Sequence, residues 1–122
     1  MIKKIFIITL FFVIYVGYAF FTQPKISVVM STYNRATFLS RSIESILNQT
    51  FTDFEFIIIN DGSSDNSAEI LNKYAQQDSR IRIITNATNK GLVYSLNKGL
   101  KEAKGKYIAR MDDDDVALPT RF

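Results

Sequence analysis

Short apolar runs alternate along the chain with longer segments in which apolar residues recur every three or four positions. Four of the runs are brief and rich in β-branched residues, which predicts strands. The predicted strands are residues 26–31, 54–60, 81–85 and 106–111. The second is apolar enough to be buried on both faces of a sheet.

Three helices are predicted between the strands from apolar positions at helical spacing. The first covers residues 37–48, and the second follows Asp65 or Asn66, either of which can cap it. The third begins after Gly91 and stops at Gly105. The apolar residues that mark this third helix are Leu92, Leu96 and Leu100.

This alternation of strand and helix predicts an α/β fold with a parallel sheet and right-handed crossovers. In such sheets the ligand site lies beyond the carboxyl ends of the strands. The segments that follow the predicted strands are residues 32–35, 61–65, 86–91 and 112–115. All the polar clusters that could carry chemistry fall in these segments.

Residues 5–21 are almost wholly apolar and contain no charge, and Lys3 and Lys4 precede them. The segment is at the short end of the roughly 17–25 residues that cross a bilayer as a helix. We favour a transmembrane signal anchor. A cleaved signal peptide is the second interpretation, because Gly17 and Ala19 could precede a cut. A buried core helix is disfavoured by the lack of a polar face.

The distribution of charge separates the apolar segment from the rest of the chain and argues against a nucleic-acid partner. Of the 15 basic residues, Lys3, Lys4 and Lys25 lie in or beside the apolar segment, so the remainder balances the 12 acidic residues. A neutral part lacks the basic face of nucleic-acid-binding proteins, so we expect no nucleic-acid partner. We divide the chain into an anchor or signal sequence with its linker, residues 1–24, and one domain, residues 25–122. The expected location is a single-pass membrane protein, with either side of the membrane open.

The sequence contains no cysteine and no histidine. Thiolate and imidazole metal sites are therefore excluded, as is a histidine general base. Any metal must bind to oxygen ligands, which favours Mg²⁺, Mn²⁺ or Ca²⁺.

The most concentrated chemistry is the run Asp112-Asp113-Asp114-Asp115, directly after the fourth strand. If the strand continues extended, Asp112 and Asp114 point to one side. Neighbouring carboxylates repel, and a divalent cation relieves that repulsion while leaving positions for phosphate oxygens. A solvated acidic loop is the common alternative, but the position after a buried strand favours a site.

Three other clusters are weaker when taken singly. The carboxylate of Asp61 could accept the N–H of a nucleobase, although a turn before a helix uses the same residue types. The loop after the first strand suits an anion, and Tyr33 could pack on a base. Lys90 could approach a phosphate, although a lone lysine is usually solvated.

Four segments together resemble a known family: ISVVMSTYNR, FEFIIINDGSSD, NKGLVYSLNKGL and GKYIARMDDDDVALPTRF. In order and spacing they are similar to family 2 glycosyltransferases, nucleotide-sugar-dependent enzymes with a GT-A (Rossmann-like) fold. The resemblance runs from about Lys25 to Phe122. It implies that Asp61 pairs with uracil N3–H, and that an Asp-X-Asp motif holds the ribose and a Mn²⁺ or Mg²⁺ on the diphosphate. The implied nucleotide-binding residues are Thr32, Tyr33, Asn34, Arg35, Asp61, Asn89, Lys90, Gly91, Asp112 and Asp113. The implied metal ligands are Asp112, Asp114 and Asp115.

The implied activity is inverting, metal-dependent transfer of a sugar, first of all from a UDP-sugar, to a glycan, lipid or other hydroxyl acceptor. In the family an acceptor-binding half with the general base follows the helix that Pro119 would open. The resemblance therefore implies a truncated, N-terminal nucleotide-binding half, and a catalytically incomplete remnant is the alternative. A plain membrane-interaction protein is another. A nucleotidyltransferase is disfavoured because STYNRATF offers no Gly-rich basic loop.

Overall fold

The computed structural model describes residues 22–122. The apolar segment 5–21 lies outside the described residues, so the predicted anchor is not tested. Within residues 22–122, no helix combines the length and apolar character needed to span a membrane.

The described residues form four strands and three helices in strict alternation, and each predicted strand and helix is present in the predicted order. The strands are β1 Ile26–Thr32, β2 Phe54–Asn60, β3 Ile81–Thr85 and β4 Tyr107–Asp112. The helices are α1 Ala36–Leu47, α2 Ser67–Gln77 and α3 Leu92–Glu102.

The four strands form one parallel sheet in the order β3-β2-β1-β4. The central strand β1 pairs with β2 from Ile26 opposite Phe54, and with β4 from Ile26 opposite Tyr107. Because the strands are parallel, the segments after β1, β2 and β4 meet at one edge of the sheet, which we call the carboxyl end. The predicted parallel α/β fold is confirmed.

The central strands β1 and β2 supply most of the core, and the predicted burial of β2 on both faces is confirmed. On one face, Val28, Met30 and Ile58 join Leu39 of α1 and Leu71 of α2 in one buried cluster. The other face is covered by α3, which contacts β1 and β2. Both faces of the central strands are therefore closed to water, and the polar chemistry is left to the strand ends.

Helix α3 packs differently from its apolar pattern. Its buried residues are Ser95 and Gly99, whereas Leu92 and Leu100 are about half exposed, at 50% and 45%. The reason is the bulk of the sheet beneath it: a Cβ added to Gly99 would lie 2.5 Å from Val29 Cγ1. Small residues let the helix approach the branched side chains of β1 and β2 closely, and the leucines turn outward.

Candidate active site

A cavity of about 390 Å³ opens at the carboxyl end of the sheet. This size is at the lower end of the range for small-molecule sites. Its walls come from the ends of β1 and β4, from the segments that follow all four strands, and from the first residue of α3. The lining residues are Ser31, Tyr33, Arg35, Asp61, Asn89, Gly91, Leu92, Arg110, Asp112, Asp113 and Asp114.

Most of the residues predicted for the site line this cavity, but four do not: Thr32, Asn34, Lys90 and Asp115. Thr32 is almost completely buried. Asn34 and Lys90 form hydrogen bonds to neighbouring loops, as described below, and Asp115, the last residue of the acidic turn, is exposed. The structure thus brings together residues from four separate segments of the chain, and it separates side chains that face the cavity from those that support it.

Asp61, the first residue after β2, is the best-ordered acid of the cavity by its hydrogen bonds. It is only 2% exposed. Its Oδ1 accepts hydrogen bonds from Asn86 Nδ2 at 2.8 Å and from the Lys90 N–H at 2.9 Å. Its Oδ2 accepts one from the Gly91 N–H at 2.8 Å, and therefore retains a lone pair. The carboxylate positions the loop before α3 and still lines the cavity.

The pKa of Asp61 lies below its ordinary value. Burial alone raises the pKa, because it disfavours the charged form. The hydrogen bonds from Asn86 and from the Lys90 and Gly91 N–H groups favour the carboxylate and outweigh burial. The cavity therefore presents an ionised acceptor at neutral pH.

Asn34 and Asp65 join the loops that follow β1 and β2. Asn34 has a positive φ of 52°, which asparagine tolerates better than most residues. Its Oδ1 accepts the Ser64 N–H at 2.8 Å. Asp65 accepts the N–H of Ala36 at 3.1 Å and that of Ser67 at 2.9 Å, the first residues of α1 and α2. These bonds fix the loop that carries Tyr33 and Arg35 against the loop that carries Asp61.

The acidic segment Asp112–Asp115 is a turn rather than an extended continuation of β4, so the condition under which strand alternation would apply is not met, although Asp112 and Asp114 both line the cavity. The strand ends at Asp112, and the Asp115 N–H donates to the Asp112 carbonyl at 3.3 Å. Ser42 of α1 holds this turn from below, with its Oγ 2.8 Å from the Asp113 carbonyl and 2.7 Å from the Asp115 carbonyl. The reversal explains why Asp115 leaves the cavity.

Charges of both signs meet at the turn. Arg110 pairs with Asp112, with its Nη2 2.8 Å from Asp112 Oδ1. The pKa of Asp113 is raised chiefly by burial, and the nearby Thr32 hydroxyl and the positive charge of Arg35 offset this only in part. The Thr32 Oγ1 approaches this carboxyl but makes no well-formed hydrogen bond within the described residues.

Three residues, Arg110, Ser31 and Leu92, line the cavity although none was predicted as a site residue. The signal for Arg110 was available, because residues two apart on a strand share a face and Arg110 precedes Asp112 by two. Ser31 lies opposite Asp112 in the pairing of β1 with β4. That pairing depends on the strand order, which the sequence did not specify.

The sequence matches the family described as glycosyl transferase family 2 over residues 27–122, which is most of the chain. The chain belongs to glycosyl transferase family 2. This confirms the resemblance carried by the four sequence segments. The cavity described above lies wholly within the matched residues.

Among relatives of this family 2 chain is an uncharacterised glycosyltransferase of Methanocaldococcus jannaschii. It is 50% identical over 102 residues, which cover 82% of this chain and 35% of the relative. The chain spans about a third of the length of the curated relatives it matches, with 30%, 35% and 36% of three of them covered.

Two solved structures show the same fold. TarS of S. aureus in complex with UDP-GlcNAc is 28% identical, with a TM-score of 0.73 over 78% of this chain and 28% of that one. The Pyrobaculum calidifontis mannosyltransferase PcManGT, solved with GDP-Man and Mn²⁺, has a TM-score of 0.71 over 79% of this chain and 29% of that one. At 20% identity the second likeness concerns the fold alone. Both support the GT-A architecture for the family 2 chain.

Divalent cations are common cofactors of GT-A glycosyltransferases. The chemistry of the acidic turn fits a hard cation, since its only side-chain donors are carboxylate oxygens. Within residues 22–122, however, no group of three or more acidic side chains is arranged to hold a metal ion. The residues therefore fit an ion that takes only one or two ligands from the protein and the rest from a phosphate-bearing ligand and water.

Proposed function

We propose that the chain supplies the donor site of a glycosyltransferase that moves a sugar from a nucleotide sugar, with UDP as the preferred nucleotide, to a hydroxyl acceptor. The observation that carries the proposal is the placement of Asp61 and the acidic turn around one cavity. The two lie beyond β2 and β4, on either side of β1 in the sheet. A nucleotide that spans this edge would meet the hydrogen-bond acceptor Asp61 at one end and the carboxylates of the acidic turn at the other.

Each end of the cavity suits a different part of the donor. Asp61 offers an ionised oxygen with a free lone pair, which matches the imide N–H of uracil. Tyr33 is 44% exposed at the cavity and offers a flat surface for the base. Arg35 and Arg110 provide positive charge toward the diphosphate. We assign recognition of the base to Asp61 and Tyr33.

Asp112 and Asp114 are the residues that would hold Mn²⁺ or Mg²⁺. A divalent cation at this position would neutralise the charge that develops on the departing nucleoside diphosphate. Arg110 must then release Asp112 Oδ1, or share it with the cation. In an inverting transfer a general base deprotonates the acceptor hydroxyl. On this proposal, the general base and the acceptor site correspond to parts of the relatives that this chain does not cover.

The test is calorimetric titration of UDP into the full chain in detergent, with and without Mn²⁺. An Asp112→Asn/Asp114→Asn variant is compared with Asp53→Asn/Glu69→Gln, which removes the same charge from two exposed acids outside the cavity. We expect Mn²⁺-dependent binding that the first variant loses and the second keeps. No UDP binding by the folded chain, or equal binding by all three proteins, would overturn the proposal.

A donor site without transfer is the second candidate, because the acids that line the cavity within the described residues, Asp61 and Asp112–Asp114, are those assigned to the nucleotide and the cation. It predicts metal-dependent UDP binding, yet no release of UDP from a UDP-sugar in the presence of saccharide acceptors. Release of UDP by the wild type that is lost in the Asp112→Asn/Asp114→Asn variant would exclude this second candidate. The same titration, extended to GDP, checks the preference for uracil.

We further propose that residues 5–21 anchor the chain in a membrane. β1 begins at Ile26, so a membrane segment at residues 5–21 would join the sheet at the amino end of β1, opposite the end that carries the cavity. The donor would then enter from the aqueous side. Extraction at alkaline pH separates the cases: retention in the membrane pellet supports the anchor, whereas release into the supernatant contradicts it.

A further inference from the structure

A chain of polar side chains lies behind Asp61, on the side away from the cavity. Asn86, at the end of β3, donates from Nδ2 to Asp61 Oδ1 at 2.8 Å and to Ser95 Oγ at 3.0 Å. Its Oδ1 accepts a hydrogen bond from Lys98 Nζ at 2.8 Å. Asn86 is 5% exposed and Ser95 is fully buried. We call Asn86 and Lys98 the relay.

Asn86 lies between the Asp61 carboxylate and the Lys98 ammonium group, and these two groups allow its side-chain amide only one orientation. An ammonium group can only donate and a carboxylate can only accept. The amide oxygen must therefore face Lys98, and the amide nitrogen must face Asp61. Without Lys98 the buried Asn86 oxygen would lose its partner, which is costly in a buried site. Lys98 thus stabilises the rotamer in which Asn86 donates to Asp61.

Within the described residues, the hydrogen-bond partner of the Lys98 ammonium group is the neutral amide of Asn86. Lys98 lies in the middle of α3, is partly buried, and forms no salt bridge within residues 22–122. Asn86 connects the positive charge of Lys98 to Asp61, the buried acid of the cavity, on the side away from the cavity. The other charged groups near Asp61 line the cavity itself: Arg35 after β1, and Arg110 with Asp112–Asp114 at the end of β4.

We propose that Asn86 and Lys98 are positioning residues for the donor nucleotide: they orient the Asp61 carboxylate and, through it, the Lys90–Gly91 backbone at the cavity. The proposal rests on the proposed function in so far as the nucleotide is concerned. Asp61 Oδ1 is occupied by Asn86 and the Lys90 N–H, so Oδ2 is the oxygen left for a ligand. The relay therefore decides which oxygen the base meets.

The first test needs no ligand. The titration of the Asp61 carboxyl is followed by ¹³C NMR in the full chain in detergent, for the wild type, Lys98→Met and Lys73→Met. Lys73 is an exposed lysine of α2, so its variant removes the same charge without touching the relay. We expect the pKa of Asp61 to rise in Lys98→Met and to stay unchanged in Lys73→Met. Equal pKa values in all three proteins would overturn the proposal. If Lys98→Met does not fold, Lys98→Leu, which also removes the donor, takes its place under the same criterion.

The second test is titration of UDP with Mn²⁺ at pH 7.5 and pH 5.0. A lost charge-assisted hydrogen bond predicts binding weaker by roughly threefold to tenfold in Lys98→Met. The loss should be greater at pH 5.0, because a higher pKa leaves less of Asp61 ionised. Lys98→Arg keeps a donor and should restore most of the affinity. A loss that is the same at both pH values and is not restored by arginine would indicate a merely structural role and contradict the proposal.

The two tests separate this inference from the proposed function. Absence of UDP binding by the wild type would reject the nucleotide site, while the NMR titration would still decide whether the relay controls Asp61. Normal UDP binding with an unchanged Asp61 pKa in Lys98→Met would reject the relay and leave the nucleotide site standing.

Discussion

The two ends of β2 carry carboxylates that do similar structural work with different results. At the amino end, Glu55 Oε1 accepts the Lys104 N–H at 2.7 Å, just after α3. At the carboxyl end, Asp61 accepts the Lys90 and Gly91 N–H groups, just before α3. One strand thus binds the backbone at both ends of the same helix.

The difference lies in what else each carboxylate faces. Glu55 also accepts the Ser27 hydroxyl at 2.6 Å and lies 3.8 Å from Arg82 Nη2, so protein groups surround it. Asp61 has no salt bridge within the described residues and keeps one lone pair at a cavity. Although their hydrogen bonds are comparable, Glu55 only stabilises the backbone beside α3, whereas Asp61 stabilises it and can also bind a ligand.

The largest test of this comparison replaces each carboxylate by alanine. Asp61→Ala leaves three donors without their acceptor in a buried site, which should cost about 4 kcal/mol of unfolding free energy. Glu55→Ala should cost about 1–2 kcal/mol, because the Glu55 side chain is itself 16% exposed and water can reach the site. Chemical unfolding of the full chain in detergent, followed by circular dichroism, measures both.

Ligand binding sharpens the same pair. Glu55→Ala should leave the affinity for UDP with Mn²⁺ within about twofold, well inside the effect of one hydrogen bond. A conservative Asp61→Asn should lose most of it, because the amide nitrogen competes with the N–H donors around it. Equal affinities in Glu55→Ala and Asp61→Asn would show that the two ends do not differ in function.

Two glycines give the second test. Gly62 follows Asp61 with φ at +73°, and an added Cβ would lie 2.7 Å from the Thr88 carbonyl carbon. At the other end, a Cβ on Gly105 would lie 2.5 Å from the Ser27 nitrogen. We expect Gly62→Ala to cost about 3 kcal/mol, from strain and overlap together, and Gly105→Ala about 2 kcal/mol from overlap alone. Thermal unfolding ranks them.

Of the two glycines, only Gly62 lies where two loops of the cavity, those after β2 and β3, touch each other. Equal weakening of UDP binding in both variants would therefore contradict the comparison. A smaller loss of stability in Gly62→Ala than in Gly105→Ala would mean that the loops after β2 and β3 can move apart freely.

The smallest test concerns acid stability. The pKa of Asp65 is lowered chiefly by hydrogen bonding from Ser67, and that of Asp78 chiefly by hydrogen bonding from Arg80. A lowered folded-state pKa means that each carboxylate stabilises the fold above its unfolded value of 3.8, and that this contribution is lost as the pH falls through the lower folded-state pKa. Asp65→Asn should cost about 1 kcal/mol at pH 7, as for a lost helix cap, and Asp78→Asn about 0.5 kcal/mol.

Unfolding measured at pH 7 and pH 3 checks the sign. The difference between wild type and each variant should shrink at pH 3. A difference that grows toward acid would mean that the carboxyl groups are stabilising when protonated, contrary to the hydrogen bonds they accept.

The strands and helices were readable in the sequence because burial and periodicity are local properties. β2 and β3 have the predicted bounds, and β1 and β4 each end one residue later than predicted. The buried face of α3 was not readable, because it depends on Val29 and Ile59 of the sheet beneath it.

The candidate site was predictable to the level of loops rather than of side chains. Strand ends and the family resemblance indicated Asp61 and the acidic turn. The contacts that orient them come from residues far away in sequence, such as Ser42 beneath the turn and Asn86 behind Asp61. Serine and asparagine in a helix or at a strand end carry no pattern that distinguishes such support from an ordinary polar surface.

The place of β1 has a consequence for the synthesis of the chain. Among the described strands, β1 is made first and lies with β2 at the centre of the sheet, yet its second neighbour, β4, begins only at Tyr107. At translation rates of about 5–20 residues per second, one edge of an apolar strand waits for seconds without its partner. Unpaired apolar edges invite association between chains. A nascent chain that stalls before Tyr107 should therefore depend on chaperones, and the acidic turn emerges directly after the strand that closes that edge.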